Sequence, residues 1–199
     1  MFRSSGIPFL LAVSIAGSFA ASIDASAAES NSAATAQHTK LVRAYKHIKH
    51  GNYDSAIPLL KTAVKSKPED PQAHRYLAYS YLQKGLVTQA LTEQKQVMHS
   101  GTELPHDHFT LGEAQFYDGK PKDAIKSYRE ALVRNPLFVE ARIGVIRSLL
   151  ALGKTREAKA ICEDAAYNSP DFKSKGQFKK LLNEMNARTQ IASTANYGS

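Results

Sequence analysis

The chain has 199 residues, of which 43% are hydrophobic and 22% are charged. This composition predicts a folded chain and excludes a disordered one. The formal net charge is +8, which favours acidic partners or surfaces in general. The lone cysteine, Cys162, excludes an intramolecular disulfide, and we expect it to be a small buried side chain.

Residues 1–27 have the pattern of a secretory signal peptide. Arg3 supplies the positive charge, the stretch from Ile7 to Ala21 is apolar, and Ala25-Ser26-Ala27 forms an A-x-A cleavage site. A second candidate site ends at Ala20. The pattern predicts export to the periplasm, with secretion as the alternative. We expect a linker over residues 28–36 and no integral membrane segment after cleavage; an uncleaved N-terminal anchor is the other interpretation.

A unit of 34 residues recurs four times after this linker. Each unit contains a glycine at the same place, namely Gly51, Gly85, Gly119 and Gly153. Small residues follow five and twelve positions later, at Ala56, Ala90, Ala124 and Ala158 and at Ala63, Val97, Ala131 and Ala165. A glycine with positive φ ends a helix sharply, and small side chains let two helices cross closely. The spacing therefore predicts helix-turn-helix units.

This period and its small residues resemble the tetratricopeptide repeat over residues 37–172. The resemblance implies an all-α fold, a right-handed α-solenoid of four units at residues 37–70, 71–104, 105–138 and 139–172. We expect a C-terminal capping helix over residues 173–188, where one apolar stripe can close the last unit, formed by Phe178, Leu181, Leu182 and Met185. Residues 189–199 show no periodicity and are expected to be disordered.

Motifs that carry chemistry are absent from the sequence. It contains no Gly-rich phosphate loop and no H-E-x-x-H, C-x-x-C or G-x-S-x-G motif. We therefore expect no enzymatic activity, no catalytic residue, no cofactor and no metal site. The densest group of ligand-type residues is His106-Asp107-His108, where we expect Asp107 to cap a helix start. An enzyme would need a buried polar constellation in a pocket.

The resemblance also implies a binding groove, because such arrays bind extended peptides on a concave face lined by the first helix of each unit. Transferred to this chain, the family offsets predict a peptide-binding groove formed by Tyr45, Arg75, Tyr76, Tyr79, Phe109, Glu113, Tyr117 and Arg147. Tyrosine and arginine are common at protein interfaces. We expect solvent-facing side chains at Tyr45, Arg75, Tyr79, Glu113 and Arg147, with acidic or C-terminal groups of the ligand near Arg75 or Arg147.

The resulting hypothesis is an exported, non-catalytic bacterial adaptor or scaffold that binds a protein or an extended peptide, in envelope assembly or secretion. No nucleic acid is expected as its partner, and the sequence sets neither the partner's identity nor the oligomeric state. The alternative is a binder of anionic surfaces, whether lipid, polysaccharide or nucleic acid, through the basic ends of the array. Such an end carries Lys173, Lys175, Lys179 and Lys180.

Overall fold

The computed structural model describes residues 35–196, the last nine of them by their backbone alone. Over this range the fold is all α, as predicted, with nine helices and no strand. They are α1 (35–49), α2 (Tyr53–Ser66), α3 (Pro71–Gln83), α4 (Val87–His99), α5 (Pro105–Tyr117), α6 (Pro121–Arg134), α7 (Val139–Ala151), α8 (Thr155–Asn168) and α9 (Phe172–Asn196). The predicted signal peptide and residues 28–34 of the predicted linker lie outside the described residues.

The four repeated glycines make the turn between the two helices of each unit. Their φ angles are 73°, 72°, 74° and 73°, in the left-handed region that an L side chain avoids. In every turn the N–H of the residue after the glycine donates at 2.9 Å to the carbonyl five residues earlier. This bond satisfies a carbonyl that the helix end would leave unpaired. The glycine spacing therefore sets where α1, α3, α5 and α7 end.

Small side chains lie where the helices of one unit cross. The alanines five positions after each turn glycine are fully buried, and so are the four residues seven positions further on. Each described helix from α2 onward packs on its neighbours in the chain, and α5 also packs on α3 and α7. The first helices of successive units therefore lie side by side and form one continuous face.

The last helix covers α8, as expected of a capping helix. Phe178 and Met185 are buried in the core, and Leu181 and Leu182 are half-buried against it. The buried Sγ of Cys162 lies 3.2 Å from the carbonyl of Phe178, so its predicted burial is confirmed. This packing joins α9 to the apolar core of the fourth unit.

Two predicted boundaries differ from the structure. Helix α9 continues to Asn196, whereas residues 189–199 were expected to be disordered. The stretch after Gly176 contains neither glycine nor proline before Gly198, so no helix breaker stops it at residue 188. Residues 35 and 36 belong to α1 and not to the linker. No helix between residues 35 and 196 is both long enough and apolar enough to cross a membrane.

Candidate functional site

The eight predicted groove residues lie on the surface formed by α1, α3, α5 and α7, which we call the first-helix face. They divide into three groups. The first two units contribute tyrosines, the boundary between units two and three contributes Arg75, and units three and four contribute a group around Arg147. The three groups differ in how much exposed surface and unpaired charge they present to a ligand.

The tyrosine cluster comprises Tyr45, Tyr53, Tyr76 and Tyr79. The rings of Tyr45 and Tyr76 stack at 5.6 Å between centroids, and Tyr53 meets Tyr79 edge to face at 6.1 Å. Tyr45 is 44% exposed and Tyr79 is 37% exposed, which confirms the prediction that both face solvent. Burial, with a contribution from Tyr53, raises the pKa of Tyr79. The cluster therefore presents rigid, uncharged aromatic surface with polar hydroxyl tips.

Arg75 does not face solvent, and this prediction is wrong. Its side chain is only 14% exposed, and its Nε donates to both carboxylate oxygens of Asp107, at 3.0 and 2.9 Å. Its Nη2 donates to the carbonyl and hydroxyl of Thr102. The stacking of unit three on unit two brings this buried carboxylate to the arginine. Arg75 therefore ties two units together and leaves little charge for a ligand.

Asp107 is a structural residue with two roles. Its Oδ2 accepts the N–H of Leu104 at 2.8 Å, which confirms the prediction that it caps the start of α5. Its backbone carbonyl accepts Nε2 of Gln94, a fully buried side chain on α4, at 2.8 Å. The carboxylate that binds Arg75 is thus held in place by its own helix, and the contact between units two and three is preorganised.

Around Arg147 the structure forms an arginine cluster that comprises Arg147, Glu113, Tyr128, Phe116 and Tyr117. Nη2 of Arg147 donates to Glu113 Oε1 and, at 3.1 Å, to the hydroxyl of Tyr128, which itself donates to Glu113. The guanidinium carbon lies 4.3 Å from the ring centroid of Phe116 and 5.7 Å from that of Tyr117. Cation–π contacts of this kind hold a guanidinium flat against aromatic surface.

The charges of the arginine cluster compensate each other. The Glu113 side chain is 15% exposed, so the prediction that it faces solvent is wrong; Arg147 covers it and is itself 37% exposed, as expected. Burial raises the pKa of the Tyr128 hydroxyl, and Glu113 raises it further. Burial alone would lower the pKa of Arg147, but Glu113 and Tyr128 together raise it. A fixed, neutral ion pair results.

Tyr128 was not predicted to belong to the site. Its ring is fully buried between Gly112 of α5 and Gly144 of α7. A Cβ atom on Gly112 would lie 2.7 Å from this ring, and one on Gly144 would lie 2.6 Å from it. Two helical glycines on neighbouring first helices are the sequence feature that could have indicated a large side chain between them.

The other predicted residues differ in accessibility. Tyr117 is 59% exposed at the edge of the arginine cluster. Tyr76 is half-buried under Tyr45, and Phe109 is half-buried against Phe138 and Tyr128, at 5.1 and 5.9 Å between ring centroids. The accessible aromatic side chains of the face therefore lie on α1, α3 and α5, and its arginines Arg75 and Arg147 are paired internally.

A cavity of about 280 Å³ opens where α5, α7 and α9 begin. Its lining includes His106, Phe138, Glu140, Lys173 and Ser174, and the His106 ring stacks on Phe138 at 4.7 Å. Ser174 is hydrogen-bonded to the Asp171 carboxylate at the start of α9, and its backbone N–H donates to Asp171 Oδ1 at 2.8 Å. Within the described part of the chain, no three His, Cys, Asp or Glu side chains come together as metal ligands.

Comparisons with known proteins agree with this architecture. A sequence model of the tetratricopeptide repeat matches residues 41–97 and 109–171. The repeat-containing protein YpiA of Bacillus subtilis (strain 168) is 27% identical over 125 residues, which is 61% of this chain and 29% of that protein. The chain spans less than a third of the curated relatives it matches.

Solved structures resemble the fold at low sequence identity. MamA has a TM-score of 0.62 at 21% identity, over 78% of this chain and 88% of the MamA chain. YrrB, described as a tetratricopeptide repeat protein with an unusual peptide-binding site, has a TM-score of 0.61 at 16% identity, over 76% of each chain. At such identities the similarity shows the fold alone.

Proposed function

Because the chain belongs to the tetratricopeptide repeat family, we propose that it is a non-catalytic adaptor whose first-helix face binds an extended segment of a partner protein. The observation that carries this proposal is the exposed aromatic surface of Tyr45, Tyr79 and Tyr117 on neighbouring helices of that face. Tyrosine combines a large apolar area with a polar tip and loses little conformational freedom on binding. It is therefore suited to grip a partner's side chains and backbone together.

The ion pairs of the face change the kind of ligand that we expect there. Arg75 of unit two is paired with Asp107, and Arg147 of unit four is paired with Glu113, so both carboxylates belong to unit three. A ligand carboxylate at either arginine would have to displace the internal carboxylate. Because each ion pair is already neutral, the ligand would gain little binding energy there. We therefore propose that aromatic packing and tyrosine hydrogen bonds hold the segment, and that Arg75 has a structural role.

We further propose that the protein is exported and works in the bacterial envelope, in assembly or secretion. The support is the sequence pattern of residues 1–27, with its charged start, apolar stretch and A-x-A site. N-terminal sequencing of the native protein should find a chain that begins at Ala28, or at Ala21 if the earlier site is used. A cytoplasmic protein that retains Met1 would contradict export.

Binding itself is tested by selecting a random peptide library on the wild-type protein and titrating the selected peptides against two variants. Tyr79→Ala should weaken binding at least tenfold, which corresponds to about 1.4 kcal/mol. Tyr167→Ala is the matched control, because Tyr167 is an 82% exposed tyrosine on α8, away from the first-helix face. Equal affinity of both variants, with unchanged helical melts, would remove the first-helix face as the binding site.

A further inference from the structure

Helix α1 differs in its charge from the described helices α2 to α8, and only α9 has the same net charge. Residues 35–49 contain four cationic side chains, Lys40, Arg43, Lys46 and Lys49, and neither aspartate nor glutamate. The 34 residues before it contain only two acids, Asp24 and Glu29. The net charge of the chain is therefore concentrated partly at this end of the array.

The four cations lie along the exposed side of α1. They are spaced three residues apart, and three residues rotate a helix by about 60° short of a full turn. The opposite side packs into the core through Leu41, Ala44 and Ile48. Arg43, Lys46 and Lys49 are exposed and Lys40 is half-buried. Among the described residues none of the four has an ion-pair partner.

The exposed faces of α6 and α8 mix charges of both signs and pair several of them. On α6 the pairs are Lys126–Asp123 and Arg134–Glu130, and on α8 they include Lys159–Glu163. Such pairs keep a surface soluble and nearly neutral. Within the described part of the chain, helix α1 lacks such pairs, as do the four lysines of α9, so the positive potential is uncompensated at both places. Only α1 belongs to the first-helix face.

The basic side of α1 is continuous with the tyrosine cluster. Nζ of Lys49 lies 5.9 Å from the ring centroid of Tyr45, which stacks on Tyr76. Farther along the face, Arg75 and Arg147 are neutralised by internal carboxylates, and Arg142 of α7 donates to the carbonyl of Pro136. The positive charge that a segment on the first-helix face could reach is therefore concentrated at α1.

We propose that the partner segment carries acidic residues at the end that lies on α1, where their carboxylates pair with Lys46, Lys49 and Arg43. This inference rests on the proposed function and adds the charge and the direction of the bound segment. An acidic protein segment fits better than a membrane surface, because a helix that binds a membrane needs a broad exposed apolar face. The exposed large apolar side chains of α1 are Val42 and Tyr45, which lie beside Lys49 on the groove side.

The test uses two synthetic fluorescent peptides of about twelve residues, long enough to extend roughly 40 Å. One has an aromatic and apolar half followed by four glutamates, and the other has glutamine in place of each glutamate. The first protein variant carries Lys40→Gln, Arg43→Gln, Lys46→Gln and Lys49→Gln. The matched control loses the same charge from α9 through Lys173→Gln, Lys175→Gln, Lys179→Gln and Lys180→Gln.

The α1 variant should bind the glutamate peptide at least tenfold more weakly than wild type, while the α9 variant stays within about twofold. Added salt should weaken the glutamate peptide far more than the glutamine peptide. An equal loss in both variants, or no loss in either, would overturn the inference. So would wild-type binding of phosphatidylglycerol vesicles or a single-stranded oligonucleotide through α1 without binding of the glutamate peptide.

Tyr79→Ala separates failure of this inference from failure of the proposed function. If it weakens both peptides while the α1 variant binds as wild type does, the segment binds the first-helix face but its acidic end does not lie on α1. If neither Tyr79→Ala nor the α1 variant weakens either peptide, both the face and the inference are wrong.

Discussion

At Tyr128, one side chain joins the packing of the array to the charges on its surface. The ring lies between two glycines, and its hydroxyl reaches the Glu113–Arg147 pair. The two glycines are needed because no Cβ atom fits beside the ring. The position of Arg147 on the first-helix face therefore depends on Gly112 and Gly144, which are themselves buried.

Gly144→Ala should destabilise the protein by about 1–3 kcal/mol, because its Cβ atom would lie 2.6 Å from the Tyr128 ring. Alanine in place of glycine usually stabilises a helix by roughly 0.5–1 kcal/mol. Gly176→Ala, on α9 with nothing within 4 Å of the added Cβ atom, should show that ordinary gain. Urea unfolding of both variants tests this contrast. A gain in stability at Gly144 would show that the ring moves aside without cost.

Stability should fall at alkaline pH through the same side chain. The pKa of Tyr128 is raised in the folded state, so the folded chain keeps a proton that the unfolded chain loses above about pH 10. The free energy of unfolding should therefore drop by up to about 1.4 kcal/mol for each further pH unit. Tyr128→Phe should lack this component, whereas Tyr167→Phe, at an exposed tyrosine, should keep the wild-type slope. Urea melts between about pH 8 and pH 11 measure it, and parallel slopes in all three proteins would contradict it.

At the scale of the helices, α9 replaces the unit that would otherwise follow. Phe178 is 1% exposed in the core it shares with α8, while Phe172, at the start of the same helix, is 92% exposed. Phe178→Ala should lower the free energy of unfolding by about 3–5 kcal/mol. Phe172→Ala should change it by less than about 0.5 kcal/mol. Equal thermal melts of the two variants would mean that α9 does not stabilise the array.

The helices could be predicted because their signals are local. Each turn glycine and the proline or polar residues near it lie within a few residues of the helix end that they set. The end of α9 could not be predicted in this way, since apolar periodicity stops at Met185 while helix-compatible residues continue to Asn196. Periodicity reports packing, and a helix can continue where packing has ended.

The sequence predicted which face of the array the eight residues lie on, but it did not predict their side-chain contacts. The repeat offsets placed all eight residues on the first-helix face, because offset and face are linked by helix geometry. They did not reveal that Arg75 is bound by Asp107, which lies 32 residues away and meets it only when two units stack. The sequence did identify Asp107 as a helix cap, but it did not indicate that the same carboxylate binds Arg75. Whether the eight residues bind a ligand stays a prediction.

At the scale of the whole molecule, the ties between units are not evenly distributed. Arg75–Asp107 joins units two and three, and Arg147–Glu113 joins units three and four, each through a carboxylate that is at most 15% exposed. Lys84–Asp54, between units one and two, is an exposed pair and contributes less. Among the described residues, α1 packs on the array from one side only. Because a repeat array unfolds through its neighbour contacts, the ends should open before the centre.

Hydrogen exchange of the native protein, read by mass spectrometry, should therefore be slowest in α5, α6 and α7 and fastest in α1 and the last turns of α9. Arg147→Met should speed exchange in α7 more than in α3, since it breaks the tie to unit three. Uniform exchange along the array would show instead that it unfolds as one cooperative block.

The position of Asp107 also limits which repeat unit could be duplicated in tandem to lengthen the array. If residues 105–138 were duplicated in tandem, the second copy of Asp107 would meet Phe109 of the first copy, where Arg75 now stands, and would be a buried carboxylate without a cation. Arg147 would pair with the new Glu113, and the original Glu113 would face another glutamate. A longer array would therefore require insertion of the new unit elsewhere, or substitution of these residues first. The third unit cannot be repeated without such changes.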